Sequence, residues 1–161
     1  MDTYWYIENS KYISKYIEFY KFLGETLDKS FKISDEKIAF VCIHNKRRSV
    51  MAESFAKNLG LNAYSAGVEK TEEIDEKIVE VMAELGLKVK ERPETILELT
   101  KKIGNIDILV TMGCIGSCPI VPAKKYIAWN IKDPAGKEIE VYRKIRDEIK
   151  IKVEELLKSE F

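Results

Sequence analysis

The stretch "AFVCIHNKRRSVMAESFAKNLG", residues 39–60, decides the fold. With the residues before it, "EKIAFVC" (36–42) is a short β-prone apolar run preceded by charge, the pattern of a buried strand. "SVMAESFAKNLG" (49–60) then reads as a helix, with Ser49 at its start and Gly60 as its stop. Between strand and helix lie Cys42, Ile43, His44, Asn45, Lys46, Arg47 and Arg48. A scarce cysteine therefore stands at the mouth of a cationic turn.

Beyond this unit, strands and helices alternate. "NAYSAG" (62–67) is a second short strand, and "EEIDEKIVEVMAELG" (72–86) puts Ile74, Ile78, Val81, Met82 and Leu85 on one helix face. "PETILELTKKIG" (93–104) reads as a shorter helix with Pro93 near its first turn. "NIDILVTMG" (105–113) is the clearest buried strand, "KKYIAWNI" (124–131) a weaker one, and 138–159 a long closing helix. That order predicts an α/β fold, a central parallel four-stranded sheet flanked by helices. Ligands of such sheets bind beyond the carboxyl ends of the strands, where Cys42 and Cys114 would both open. Residues 1–35 stand apart as an N-terminal helical extension to the domain at 36–161. Tyr12, Ile13, Tyr16, Ile17, Tyr20 and Leu23 recur there at helical spacing, which predicts an extra helix packed on the domain or on a second copy, with a regulatory or partner-binding arm as the alternative.

Composition narrows the partners. Lysine plus arginine and aspartate plus glutamate are equal at 27 each, so no global basic field draws in nucleic acid. The N-terminus lacks a basic segment followed by an apolar one, and no apolar run approaches about 18 residues, so neither a signal peptide nor a membrane span is expected. The chain reads as cytoplasmic, a compartment where thiols do redox, nucleophilic or metal chemistry more often than they form structural disulfides. Its three cysteines are Cys42, Cys114 and Cys118.

The turn has the parts of an oxyanion site. A short loop between strand and helix can wrap its N–H groups, those of Ile43, His44, Asn45, Lys46 and Arg47 among them, around a tetrahedral anion at the positive end of the helix dipole. Arg48 can bind two of the anion's oxygens with its planar fork. The same field favours the thiolate of Cys42, and the Ser49 hydroxyl can hydrogen-bond the sulfur. Asn45 suits a left-handed backbone position. Lys46 and Arg47 read as mostly solvated charge, and His44 as a residue that shapes the loop.

These residues carry a resemblance. "CIHNKRRSVMAESF" (42–55) is similar to the C-x5-R-S loop of the low-molecular-weight protein tyrosine phosphatases, and more closely to the arsenate reductases built on that fold. "YSAGVE" (64–69), "VTMGCIGSCP" (110–119) and "IKDPAGKEIEVYRKIRDEIK" (131–150) resemble the same reductases in the same order, so the resemblance covers about residues 37 to 158. It implies Cys42 as nucleophile, Arg48 and Ser49 as its partners, and Asp133 of "KDPAG" as general acid, which requires a carboxyl that keeps its proton at working pH. Some relatives hold a potassium ion near the loop. The matching positions are Asn45, Glu53 and Ser65, whereas the remaining ligand positions fall in "ERPETI" (91–96) and match poorly.

"GCIGSC" (113–118) separates the two activities, because the plain phosphatases need one cysteine only. A C-x3-C metal pair would have only His44 to complete it, short of the usual four ligands. The resemblance instead implies a relay in which Cys42 attacks arsenate, Cys114 attacks Cys42, and Cys118 resolves the disulfide for a thioredoxin-like reductant. The pair is more closely spaced here than in other members. A phosphatase and a thiol redox sensor or binding module remain the alternatives.

Overall fold

A computed structural model describes residues 34–113 and 121–161. The helix expected over residues 10–30, Cys114 and Cys118 lie outside the described residues. In chain order the elements are β1 (Lys37–Cys42), α1 (Arg48–Asn58), β2 (Asn62–Gly67), α2 (Glu76–Ala83), α3 (Ile96–Ile103), β3 (Ile106–Met112), β4 (Ala123–Trp129) and α4 (Ile139–Glu160). The strands form one sheet in the order β2-β1-β3-β4, and every neighbouring pair is parallel. The expected four-stranded parallel sheet flanked by helices is therefore what the chain builds.

Strand alternation explains the two layers. On β1, Ile38, Phe40 and Cys42 belong to one apolar cluster, while Ala39 and Val41 belong to another. The first cluster takes Val50, Met51 and Phe55 of α1, Ile78 and Met82 of α2, and Tyr142, Ile149 and Val153 of α4. The second takes Ile96 and Leu99 of α3. A strand apolar on both faces has to lie inside such a sandwich. β4 carries exposed Lys124, Lys125 and Tyr126 on the sheet's outer edge, which accounts for its weaker sequence signal. Among the described residues no helix is long and apolar enough to cross a membrane.

Helix boundaries differ from the expectation where side chains cap. The helix expected over 72–86 starts at Glu76, because Asp75 accepts a hydrogen bond from the Lys77 N–H and ends the extended lead-in. The one expected over 93–104 starts at Ile96, because Thr95 and Glu98 close a capping box and leave Pro93 outside. α1 includes Arg48, and its N-cap, Arg47, makes no side-chain cap; the Ser49 hydroxyl is engaged elsewhere. β4 stops at Trp129, short of the expected 131, and the Ile131 carbonyl turns to Arg48.

One ion-pair cluster clamps α2 to α4. Glu84 receives Arg143 through Nη2 at 2.7 Å and Arg146 through Nη1 at 2.7 Å. These bonds, Arg143 foremost, hold the Glu84 carboxyl down at about 2. Because the folded value is depressed, the stabilisation is complete above the ordinary glutamate range and is lost as pH falls toward 2. The melting-temperature gap between the wild type and Glu84→Gln is therefore expected to be constant above about pH 5 and to close on acidification. A gap independent of pH would contradict this account of the clamp.

Candidate functional site

The carboxyl ends of the two central strands frame the site. Cys42 closes β1 in register with Gly67 of β2, and Met112 closes β3 in register with Trp129 of β4. Loop 43–47 rises from Cys42 and is held from outside. The Cys42, Ile43 and Lys46 carbonyls accept from the N–H groups of Val68, Glu69 and Asp75, and the His44 carbonyl accepts from Thr71 Oγ1. In a trans peptide the N–H points opposite its carbonyl, so the N–H groups of Ile43, His44, Asn45 and Arg47 face the other way, into the loop. This is a concave array of donors of the kind that binds an anion. Asn45 stands at φ +54°, the left-handed conformation anticipated for it.

Gly67 makes the loop possible. A Cβ there would lie 2.7 Å from the His44 carbonyl carbon and 2.8 Å from the Asn45 nitrogen, both backbone atoms that cannot rotate away. Gly67→Ala is expected to lower stability by roughly 2 kcal/mol and to weaken phosphate binding at least tenfold, read by urea unfolding and isothermal titration. Unchanged binding would show that the loop is not held as tightly as the contacts indicate.

A chain of hydrogen bonds ends on Cys42. Asn45 Nδ2 donates to Ser49 Oγ and to Ser65 Oγ, each at 2.9 Å, and Ser49 Oγ lies 2.9 Å from Cys42 Sγ. Because Asn45 donates to the Ser49 oxygen, the hydroxyl proton is free to point at sulfur, the arrangement a thiolate wants. The amide orientation is fixed by its other end. Asn45 Oδ1 accepts from the Glu94 N–H at 2.8 Å and from Lys90 Nζ at 3.0 Å, and neither group can accept in return. Cys42, Asn45 and Ser49 are all buried.

Arg48 is buried too, and its fork is divided. Nη1 donates to the carbonyls of Met112 and Ile131, Nη2 lies 3.8 Å from Asp133 Oδ2, and Nε has no partner among the described residues. A buried guanidinium N–H without a partner is costly and calls for an acceptor that arrives with a ligand. Gly113 lets Arg48 lie there, since a Cβ at that glycine would sit 2.7 Å from Nη1.

Asp133 faces both arginines. Its Oδ1 accepts from the Ala135 N–H in the turn around Pro134, while Oδ2 lies 3.7 Å from Arg47 Nη1. Arg47 departs from the expectation of solvated charge. Its Nε donates to Asp75 Oδ2 at 2.6 Å, and the Tyr142 hydroxyl donates to that same oxygen at 2.7 Å. Burial works against the Asp75 carboxylate, yet bonds from Tyr142, Arg47 and the Lys77 N–H outweigh it and hold its pKa below the usual range. Lys46 is half-buried, and the His44 imidazole meets Glu69 at 3.0 Å on the rim, a position that fits loop-shaping.

Asp75, Tyr142 and Lys90 escaped the sequence reading. Asp75 offered a signal as a helix N-cap, whereas the other two are joined to the loop only through long-range contacts. Lys90 also bears on the potassium implied by resemblance. Asn45 Oδ1 and the Ser65 carbonyl each receive its ammonium at 3.0 Å, Ser65 Oγ receives Asn45, and buried Glu53 pairs with Lys57 at 3.6 Å. The Lys90 ammonium already holds two of these oxygens, and the Asn45 amide and Lys57 engage the others, so the residues present do not fit a resident potassium ion.

The sequence from residue 37 to 160 matches the family described as low molecular weight phosphotyrosine protein phosphatase. An arsenate reductase of Staphylococcus aureus (strain N315) is 35% identical over 123 residues, covering 73% of this chain and 92% of the relative. The crystal structure of an arsenate reductase from Archaeoglobus fulgidus superposes with a TM-score of 0.65 at 40% identity, over 74% of this chain and 98% of that one. A low molecular weight protein tyrosine phosphatase from T. tengcongensis superposes with a TM-score of 0.64 at 27% identity, over 76% and 98%.

Proposed function

The chain belongs to the low molecular weight phosphotyrosine protein phosphatase family, and on that footing we propose that it reduces arsenate to arsenite. The observation that carries the reading is the buried Nε of Arg48, unpartnered among the described residues, at the start of α1 where the loop from Cys42 ends. It supports a tetrahedral oxyanion as ligand. Arsenate is favoured over a phosphoester by the two further cysteines of "GCIGSC" and by the similarity to arsenate reductases.

The loop N–H groups and Arg48 hold the anion, and the Cys42 thiolate attacks arsenic. One oxygen leaves as water, with Asp133 supplying a proton, and a sulfur–arsenic(V) bond remains. Cys114 thiolate attacks the Cys42 sulfur, and the electron pair of the sulfur–arsenic bond stays on arsenic, which departs as arsenite. The resulting Cys42–Cys114 disulfide is attacked at Cys114 by the Cys118 thiolate, which frees Cys42. A thioredoxin-like dithiol then reduces Cys114–Cys118. Two thiols are oxidised for each arsenic(V) reduced to arsenic(III).

Hydrolysis of an aryl phosphate is the second reading, supported by the same cradle and by the superposed tyrosine phosphatase. One observation weighs against it. Trp129, the aromatic residue nearest Asp133 in "AWNIKDPAGKE", is 8% exposed and packs on Phe40 at 5.6 Å, so it presents no ring to an aryl substrate.

The test is arsenate-dependent NADPH consumption with thioredoxin and thioredoxin reductase. Turnover is expected in the wild type and not in Cys114→Ser or Cys118→Ser. Activity surviving either change would sink the relay, and aryl phosphate hydrolysis without arsenate reduction would promote the second reading. Reversible thiol oxidation with neither activity would mark a redox sensor.

A further inference from the structure

Lys90 lies in a highly charged stretch, "KVKERPE" (88–94), yet its side chain is only 11% exposed. Its ammonium reaches Asn45 Oδ1 at 3.0 Å, the Ser65 carbonyl at 3.0 Å and Glu94 Oε1 at 3.1 Å. An ammonium group has three N–H donors, and three oxygens receive them. Burying a long, entropy-rich side chain in this way is costly unless each donor is satisfied, as here. Asn45 also binds Ser49 through Nδ2, and Ser49 lies on Cys42 Sγ. The charge of Lys90 is thus two residues removed from the nucleophile, along a hydrogen-bonded line in which each bond polarises the next.

We propose that Lys90 is a positioning residue whose ammonium stands where a bound monovalent cation would otherwise sit, orienting Asn45 and, through Ser49, the donor on Cys42. A potassium ion and an ammonium group share a charge and comparable size, and both need a shell of oxygens. Here the chain supplies the cation covalently, so the loop needs no ion from solution. The inference goes beyond the arsenate reading and holds for any anion in the loop.

The measurement is the rate of Cys42 alkylation by iodoacetamide, followed on the Cys42 peptide by mass spectrometry, with the melting temperature read in parallel. Wild type and Lys90→Met are compared in KCl and in NaCl at equal ionic strength. For the wild type, both readouts are expected to be the same in the two salts. For Lys90→Met in NaCl, alkylation at neutral pH is expected to slow about tenfold, as Asn45 no longer holds Ser49 with its donor on the sulfur. KCl is expected to return part of that loss. A wild type stabilised by KCl over NaCl would overturn the proposal, as would a variant alkylated at the wild-type rate or one that both salts leave equally slow. If Lys90→Met does not fold, the wild-type comparison of the two salts still decides.

Discussion

Arg48→Lys is expected to lose at least 10³-fold in kcat/KM for arsenate, the scale on which an essential donor to a developing oxyanion is lost. The structure shows why a preserved charge does not rescue the site. The guanidinium holds the Met112 and Ile131 carbonyls with Nη1 and keeps Nε and Nη2 for other partners, one of them Asp133 at 3.8 Å. A lysine ammonium has one nitrogen and cannot serve two carbonyls and an anion from opposite ends of a planar fork. With that fork gone, a buried carbonyl at the end of β3 or beyond β4 is left without its donor, at a cost of roughly 1–3 kcal/mol. Isothermal titration with phosphate and urea unfolding read the two effects separately. Wild-type affinity in Arg48→Lys would contradict the assignment of the fork.

Cys42→Ser is expected to be the most severe change to turnover, roughly 10⁵-fold or more, and among the mildest to binding. An oxygen nucleophile with an alcohol's basicity stays protonated in the loop, and the disulfide steps lose the sulfur they act on. In the proposed function the anion contacts belong to other groups: Arg48 and the inward N–H groups of Ile43, His44, Asn45 and Arg47, organised by the bonds to Val68, Glu69, Thr71 and Asp75. Phosphate affinity of Cys42→Ser should therefore fall by no more than about threefold, because the change removes no donor to the anion. Loss of phosphate binding along with turnover would show that the sulfur shapes the cradle.

These expectations were legible in the sequence to different depths. The unit from Lys37 to Asn58 reads directly, because a strand, a loop and a helix contiguous in the chain determine each other through local periodicity and the left-handed position at Asn45. The four strands and their alternation with helices followed from the same local signals. Asp133 was reached through resemblance, and the structure places its Oδ2 between Arg47 and Arg48.

Contacts made across the fold were not legible. Arg47 reads as a solvated cation from its neighbours, yet Asp75, 28 residues on, draws it in, and Tyr142 of α4 braces that pair. The helix expected to begin at 72 hid Asp75 inside a turn, so its role as a cap and as an anchor went unread. Lys90 looks like one more surface charge until the strand end at Ser65 and the loop at Asn45 meet around it. Charged side chains are bimodal in burial, and sequence spacing does not say which state a lysine takes.

The most direct test of the central claim is a single turnover without reductant. Fully reduced protein is mixed with excess arsenate, arsenite is measured, and the three cysteines are mapped as free or paired by mass spectrometry. The account predicts one arsenite per protein, a free Cys42 and a Cys114–Cys118 disulfide, with Cys118→Ser instead accumulating Cys42–Cys114. Arsenite absent after mixing, with all three thiols still reduced, would contradict it.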